Sequence, residues 1–126
     1  MTMISRATHF LTLLALLVGF QTIVQAEPGQ LMDQVHFLIP AGPGGGWDGT
    51  ARGTGEAMIK SGLVLDVSFE NLSGGGGGRA IAKLIETASR NQNTLLISST
   101  PMVVRSLQGI FPQSFRDLKP IGTVIA

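Results

Sequence analysis

Ile39-Pro40-Ala41-Gly42-Pro43-Gly44-Gly45-Gly46-Trp47-Asp48-Gly49-Thr50 is the stretch on which the reading of this chain turns. A short apolar run, Val35 to Ile39, precedes it, and its boundary at Pro40 predicts a strand buried on both faces, parallel and central. Thr50 to Lys60 follows, with Ala51, Met58 and Ile59 at helical positions and Gly62 to end it. A strand, a turn of glycines and a helix start marked by Asp48 gather several free backbone N–H groups around one point. The helix dipole adds roughly half a positive charge there, and residues without Cβ let a ligand approach the main chain. Such a corner suits an anion.

The device repeats along the chain. Leu63 to Asn71 sets Leu65, Val67 and Phe69 against Asp66, Ser68 and Glu70, a period of two that predicts a strand with one wetter face. The run Gly74 to Gly78 then opens an amphipathic segment, Arg79 to Arg90, with Ala80, Ile81, Leu84, Ile85 and Ala88 on one side. Thr94 to Ser98 reads as a third buried strand, and Ser99-Thr100-Pro101 as a third corner leading into a short helix from Met102 to Leu107. Gly109 to Pro120 reads as a surface loop and Ile121 to Ala126 as a fourth strand. Strands alternating with helices predict an α/β fold: a mostly parallel sheet with flanking helices and right-handed crossovers.

Outside this core, residues 1–26 have the form of a secretory signal peptide: Arg6, an apolar core from Phe10 to Phe20, and a cut after Ala26; the alternative, an N-terminal membrane anchor, is disfavoured because the apolar run is shorter than the ~20 residues a spanning helix needs. The polar segment Glu27 to Asp33 leads into the fold, and residues 27–126 form the mature lobe. The chain has 126 residues with nine Lys/Arg against eight Asp/Glu, and loss of Arg6 with the leader makes the two equal. That balance supplies no overall field for nucleic acid or a membrane surface. There is no cysteine, hence no disulfide, no thiolate metal site and no lipid-accepting Cys. His9 falls in the leader, and His36 lies in a strand with a structural role, so no metal is expected.

Three strand-to-helix corners remain as candidate sites: Ala41 to Thr50, Ser73 to Arg79, and Ser98 to Met102. In an open parallel sheet ligands collect at that edge. Gly44, Gly45 and Gly46 either donate N–H groups to a carboxylate or phosphate or form a turn. Asp48 is either a helix cap or a ligand contact, and Trp47 either walls the pocket or buries itself beneath the loop. Gly74 to Gly78 is a second anion clamp or a device for close packing, and Arg79 pairs with a ligand or with solvent. Ser98, Ser99 and Thr100 serve as caps or contacts. No serine is expected to have a histidine partner, so hydrolysis is set aside and the set reads as recognition, not catalysis. A rival reading takes Gly44 to Gly49 as G-x-G-x-x-G, with Glu70 as the ribose-binding acid of a dinucleotide-dependent oxidoreductase. The Pro40 to Pro43 spacer, the second glycine run and the leader weigh against it. A small exported protein without a ligand is the other alternative.

Four segments in order carry a family likeness: Phe37 to Asp48, Asn71-Leu72-Ser73-Gly74-Gly75-Gly76, Thr94 to Pro101, and Phe115-Arg116-Asp117-Leu118-Lys119-Pro120-Ile121-Gly122. Together they resemble the extracytoplasmic solute receptors of the tripartite tricarboxylate transporters, the Bug or TctC-like family. The resemblance implies a monomeric, two-lobed periplasmic binding protein, neither enzyme nor cofactor carrier. Such a protein closes on a small di- or tricarboxylate such as citrate and delivers it to membrane subunits. It places ligand contacts at Gly44, Gly45, Gly46, Trp47 and Asp48, and further ones at Ser98, Ser99 and Thr100. Where many members have a small hydroxyl residue this chain has Trp47, which leaves room for an aromatic wall. The resemblance also implies a longer protein, so the chain reads as a leader plus one periplasmic-binding-protein-like lobe, with the second lobe missing.

Overall fold

A central strand organises the molecule. The computed structural model describes residues 29–124, and the expected leader lies outside them, as do Ile125 and Ala126. β1 (Met32–Ile39) is flanked by β2 (Val64–Asn71) on one side and β3 (Thr94–Leu96) on the other, both parallel to it. Phe37 stands opposite Phe69 and Leu95, and Leu38 opposite Glu70 and Leu96. β1 starts before the apolar run because its polar residues extend the ladder: Gln34 pairs with Asp66, and the Gln34 amide donates to the Asp66 carboxylate at 3.1 Å.

The strand order reverses at β1, the chain stepping out to β2 and then back across β1 to β3, so right-handed crossovers put the first two helices on opposite faces of the sheet. α1 (Gly46–Lys60) lies over Val35, Phe37 and Ile39, and its Ala51 and Met58 join Val67, Phe69, Leu95 and Ile97 in one core. Phe37 and Phe69 stack with ring centroids 5.5 Å apart. On the other face, α2 (Gly78–Thr87) contributes Ile81 and α3 (Thr100–Leu107) contributes Met102 to a second core with Phe111, Leu96 and Leu118. The α/β class with a parallel sheet and flanking helices is thus the observed architecture.

Several expected boundaries move. α1 begins at Gly46, four residues before Thr50, because Gly49 already donates to the Gly45 carbonyl at 2.9 Å. α2 ends at Thr87, and Arg90 and Asn91 fold back on the Thr87 carbonyl instead of extending the helix. α3 starts at Thr100, where Pro101 suits the first turn. β3 is shorter than Thr94 to Ser98 and only half-buried, since it is an edge strand with β1 on one side alone. Leu65, expected on the packed face of β2, is 65% exposed on the opposite edge strand. The expected fourth strand is absent among the described residues. Ile121 and Val124 are exposed and pair with no strand, and without a ladder partner an extended segment has no sheet to join.

Candidate ligand-binding site

The three corners meet at the C-terminal edge of the sheet. After Ile39 the chain turns through Ala41 to Gly45, with Gly44 in the left-handed region at φ +81°, and enters α1 at Gly46. Asp48, in the first turn of α1, is 4% exposed. Its carboxylate accepts the Gly44 N–H at 2.9 Å, the Arg52 Nε at 3.0 Å and the Asn71 Nδ2 at 3.0 Å, with Arg52 Nη2 a further 3.0 Å contact. Asn71, at the end of β2, also donates to the Ala41 carbonyl at 3.0 Å. First and second corners are thereby stitched together. Arg52 foremost, then the Gly44 N–H and Asn71, hold the Asp48 carboxyl well below the usual carboxylate range, against the opposing effect of burial.

Asp48 is therefore not the helix cap that the sequence suggests. Gly45 occupies the cap position, and Asp48 reaches back from the first turn to fix the loop. The loop carries its own anion, neutralised by Arg52, and this uses the N–H of Gly44. Gly44 belongs to the site as its turn residue. The turn at Pro43-Gly44 aims the Gly45 N–H at the Gly42 carbonyl, and Gly42 to Gly46 are exposed; among the described residues the N–H groups of Gly46, Trp47 and Asp48 have no protein acceptor. These are the amides left for a ligand.

Trp47 combines both roles left open by the sequence. Its half-buried ring packs against both cores, and its Nε1–H donates to the Ser99 hydroxyl at 2.8 Å. The first corner is thus tied to the third. Ser99 holds the N-cap position of α3 but caps nothing with its side chain, since the hydroxyl oxygen faces the indole. Ser98 and Thr100 are exposed beside it. Trp47 and Ser99 thus bring the first and third corners together, while the Asp48 side chain lies buried behind the first loop.

The second glycine run serves packing. Gly74 to Gly77 all have φ between 57° and 125°, a path that side chains disfavour. A Cβ on Gly77 would lie 3.0 Å from Met102 Cε, and one on Gly78 would lie 2.4 Å from Phe111 Cβ. Arg79 folds back to donate to the Ser73 carbonyl at 3.1 Å. An open groove of about 330 Å³ lies beside this run, lined by Gly75, Gly78, Arg79, Ala82 and residues 110–113, and includes none of the first-loop residues.

Two further findings bear on chemistry. Ser68 does have a histidine partner: the parallel register sets it opposite His36, with Oγ 2.8 Å from Nδ1. The opposite expectation failed because residues 32 apart in sequence meet only through that register. His36 Nε2 lies 3.5 Å from Glu70, whose two oxygens both accept from Lys83 at 2.6 and 2.7 Å. Lys83 chiefly holds the Glu70 carboxyl below its usual value. Among the described residues no group of three or more His, Cys, Asp or Glu could hold a metal ion. No protein-family model, curated protein or solved structure matches the chain, so the family likeness rests on its four motifs.

Proposed function

We propose that this chain is the carboxylate-holding lobe of a periplasmic solute receptor that captures a small di- or tricarboxylate for a tripartite tricarboxylate transporter. The observation that carries this reading is the pair of N–H groups at Gly46 and Trp47 without a protein acceptor, at the C-terminal edge of a parallel sheet. Asp48 supports it by fixing the loop before any ligand arrives, so little ordering is left to be done on binding. A ligand carboxylate would accept from those amides, with the hydroxyls of Ser99 and Thr100 as further donors and the Trp47 ring as a wall. The Asp48 charge, neutralised by Arg52, does not repel it. Glu70, the acid a dinucleotide reading requires, is engaged by Lys83, which favours the carboxylate reading. The leader supports export, and delivery to membrane subunits follows from the resemblance.

Isothermal titration of the chain with citrate and succinate, with NAD in parallel, tests this reading. Carboxylate binding is expected, and weak, because one lobe leaves the ligand half-solvated. Gly46→Pro provides the decisive variant. Proline suits the first helical position, the extended Gly45 at φ −79°, ψ 171° suits a following proline, and a Cβ at Gly46 meets nothing within 4 Å. The fold should persist while one charge-assisted donor disappears, weakening binding about tenfold or more. Saturable binding of NAD in place of any carboxylate would overturn the proposal.

A further inference from the structure

β3 is an edge strand, and its outer side is open. The Asn93 carbonyl accepts from the His36 N–H at 3.0 Å, and the Ile97 N–H donates to the Leu38 carbonyl at 3.3 Å, so Asn93, Leu95 and Ile97 turn their main-chain groups towards β1. These directions alternate along a strand. Leu96 therefore points both its N–H and its C=O away from β1, as Thr94 does its C=O and Ser98 its N–H. Among the described residues none of these groups has a main-chain partner.

The edge also lacks the devices that usually close one. No charged residue occurs between Arg90 and Arg105. Leu95 and Ile97 pack on the core beneath α1 and Leu96 on the core beneath α2 and α3, yet Thr94 to Ile97 are only half-buried and Ser98 is exposed. β2, the other edge, carries Asp66 and Glu70, charges of the kind that keep a further strand away.

We infer that β3 pairs antiparallel with β3 of a second copy of this chain, about a two-fold axis at Leu96, and joins two three-stranded sheets into one. A two-fold contact requires a self-complementary patch. Thr94-Leu95-Leu96-Ile97-Ser98 is one, since it runs hydroxyl, aliphatic, aliphatic, aliphatic, hydroxyl in either direction. With Leu96 opposite its own counterpart, the two exchange both main-chain bonds, and at each end a Ser98 N–H meets the Thr94 C=O of the other copy. Leu95 then stands against Ile97 on one face and Leu96 against Leu96 on the other, apolar cross-strand pairs with no like charges between them. A slip of one residue would set Leu96 against Leu95, whose main-chain groups already serve β1. The family likeness implies a monomer, and the dimer departs from it. The inference is independent of the carboxylate reading, which uses the amides of Gly46 and Trp47.

Sedimentation equilibrium of the full chain over a concentration series tests it, with amide hydrogen exchange read by NMR as the second measurement. The shared edge is short, so the dimer belongs to the transient class, and the mass should rise with concentration from one chain to two and stop there. Over the same range the Leu96 and Ser98 N–H groups should become protected, whereas those of Leu95 and Ile97, which face β1, should be protected throughout. Ser98→Pro removes one outward donor at each end and leaves the β1 ladder whole, since an edge strand tolerates proline where the N–H faces solvent. Loss of the two bonds should weaken dimerisation about 30-fold. A single-chain mass at every concentration, growth past the dimer, or a dimer unchanged in a folded Ser98→Pro chain overturns the inference. If that variant does not fold, the Leu96 amide decides. Protection that ignores concentration would put a segment of the same chain on the edge, exchange that stays fast would leave the edge open, and either result overturns the inference.

Discussion

Gly53 and Gly55 stand two residues apart in α1, and the structure assigns opposite signs to their replacement by alanine. Each change removes the glycine penalty in a helix interior, about 0.8–1.0 kcal/mol. At Gly53 a Cβ meets nothing within 4 Å, so the variant should be stabilised by about 0.5–1 kcal/mol. At Gly55 the same atom would lie 2.9 Å from Phe69 Cζ, 3.2 Å from Val67 Cγ2 and 3.3 Å from Phe37 Cε2. Phe37 and Phe69 stack on each other and cannot swing aside together. Overpacking of this kind costs about 1–3 kcal/mol, which outweighs the propensity gain and leaves a net loss of about 1 kcal/mol. The two variants should therefore differ by about 2 kcal/mol. Thermal unfolding followed by circular dichroism should show Tm rising about 4 °C for Gly53→Ala and falling about as much for Gly55→Ala. A rise for Gly55→Ala equal to that for Gly53→Ala would refute the seating of α1 against the sheet. It would also release the amides at its N-terminus from the position argued for them.

Phe111→Ala should cost about 3 kcal/mol in urea unfolding, since Phe111 is 6% exposed and fills the space between Ile81, Met102 and the Cβ-less Gly78. Ser99→Ala removes the acceptor of the Trp47 indole and should cost about 1 kcal/mol while changing the emission of the chain's one tryptophan; an unaltered spectrum would contradict the bond between the first and third corners. Asp48 and Glu70 both have lowered folded-state pKa values, held down first by Arg52 and by Lys83 respectively. The unfolded chain then binds more protons in acid, so their contribution to stability is fully present above about pH 4.5 and is lost as the pH falls through the lowered folded values. Asp48→Asn should flatten the acid limb of the stability profile, and an acid limb identical to that of the parent would show that the Asp48 network does not hold in solution.

The alternation of strand and helix was legible from residue patterns alone, because Val35 to Ile39 is a short apolar run bounded by Pro40, while Leu63 to Asn71 and Arg79 to Arg90 each show one clear period. Glycine-rich corners were legible as corners for the same reason. What lay beyond reach was set by tertiary partners. Asp48 reads as a cap from its neighbours, yet its role comes from Arg52 and from Asn71 on another strand. Ser68 meets His36, and Trp47 meets Ser99, through the sheet register and not through proximity in the chain. Whether Gly74 to Gly78 clamps or packs depends on Met102 and Phe111, residues far downstream. β3 has the composition of a buried strand, and only the sheet order reveals it as an edge.

β1 is made first and finished last. Its pairing with β2 joins Met32 to Val64, whereas its pairing with β3 must wait for Thr94 and Leu96. A β1–α1–β2 unit can assemble while β3 is still being synthesised, leaving one hydrogen-bonding flank of the most apolar strand open in the interval. Unsatisfied flanks of that kind recruit other chains. The nascent protein is thus most vulnerable to aggregation just before its third strand arrives, and whatever escorts it must shelter β1 until then.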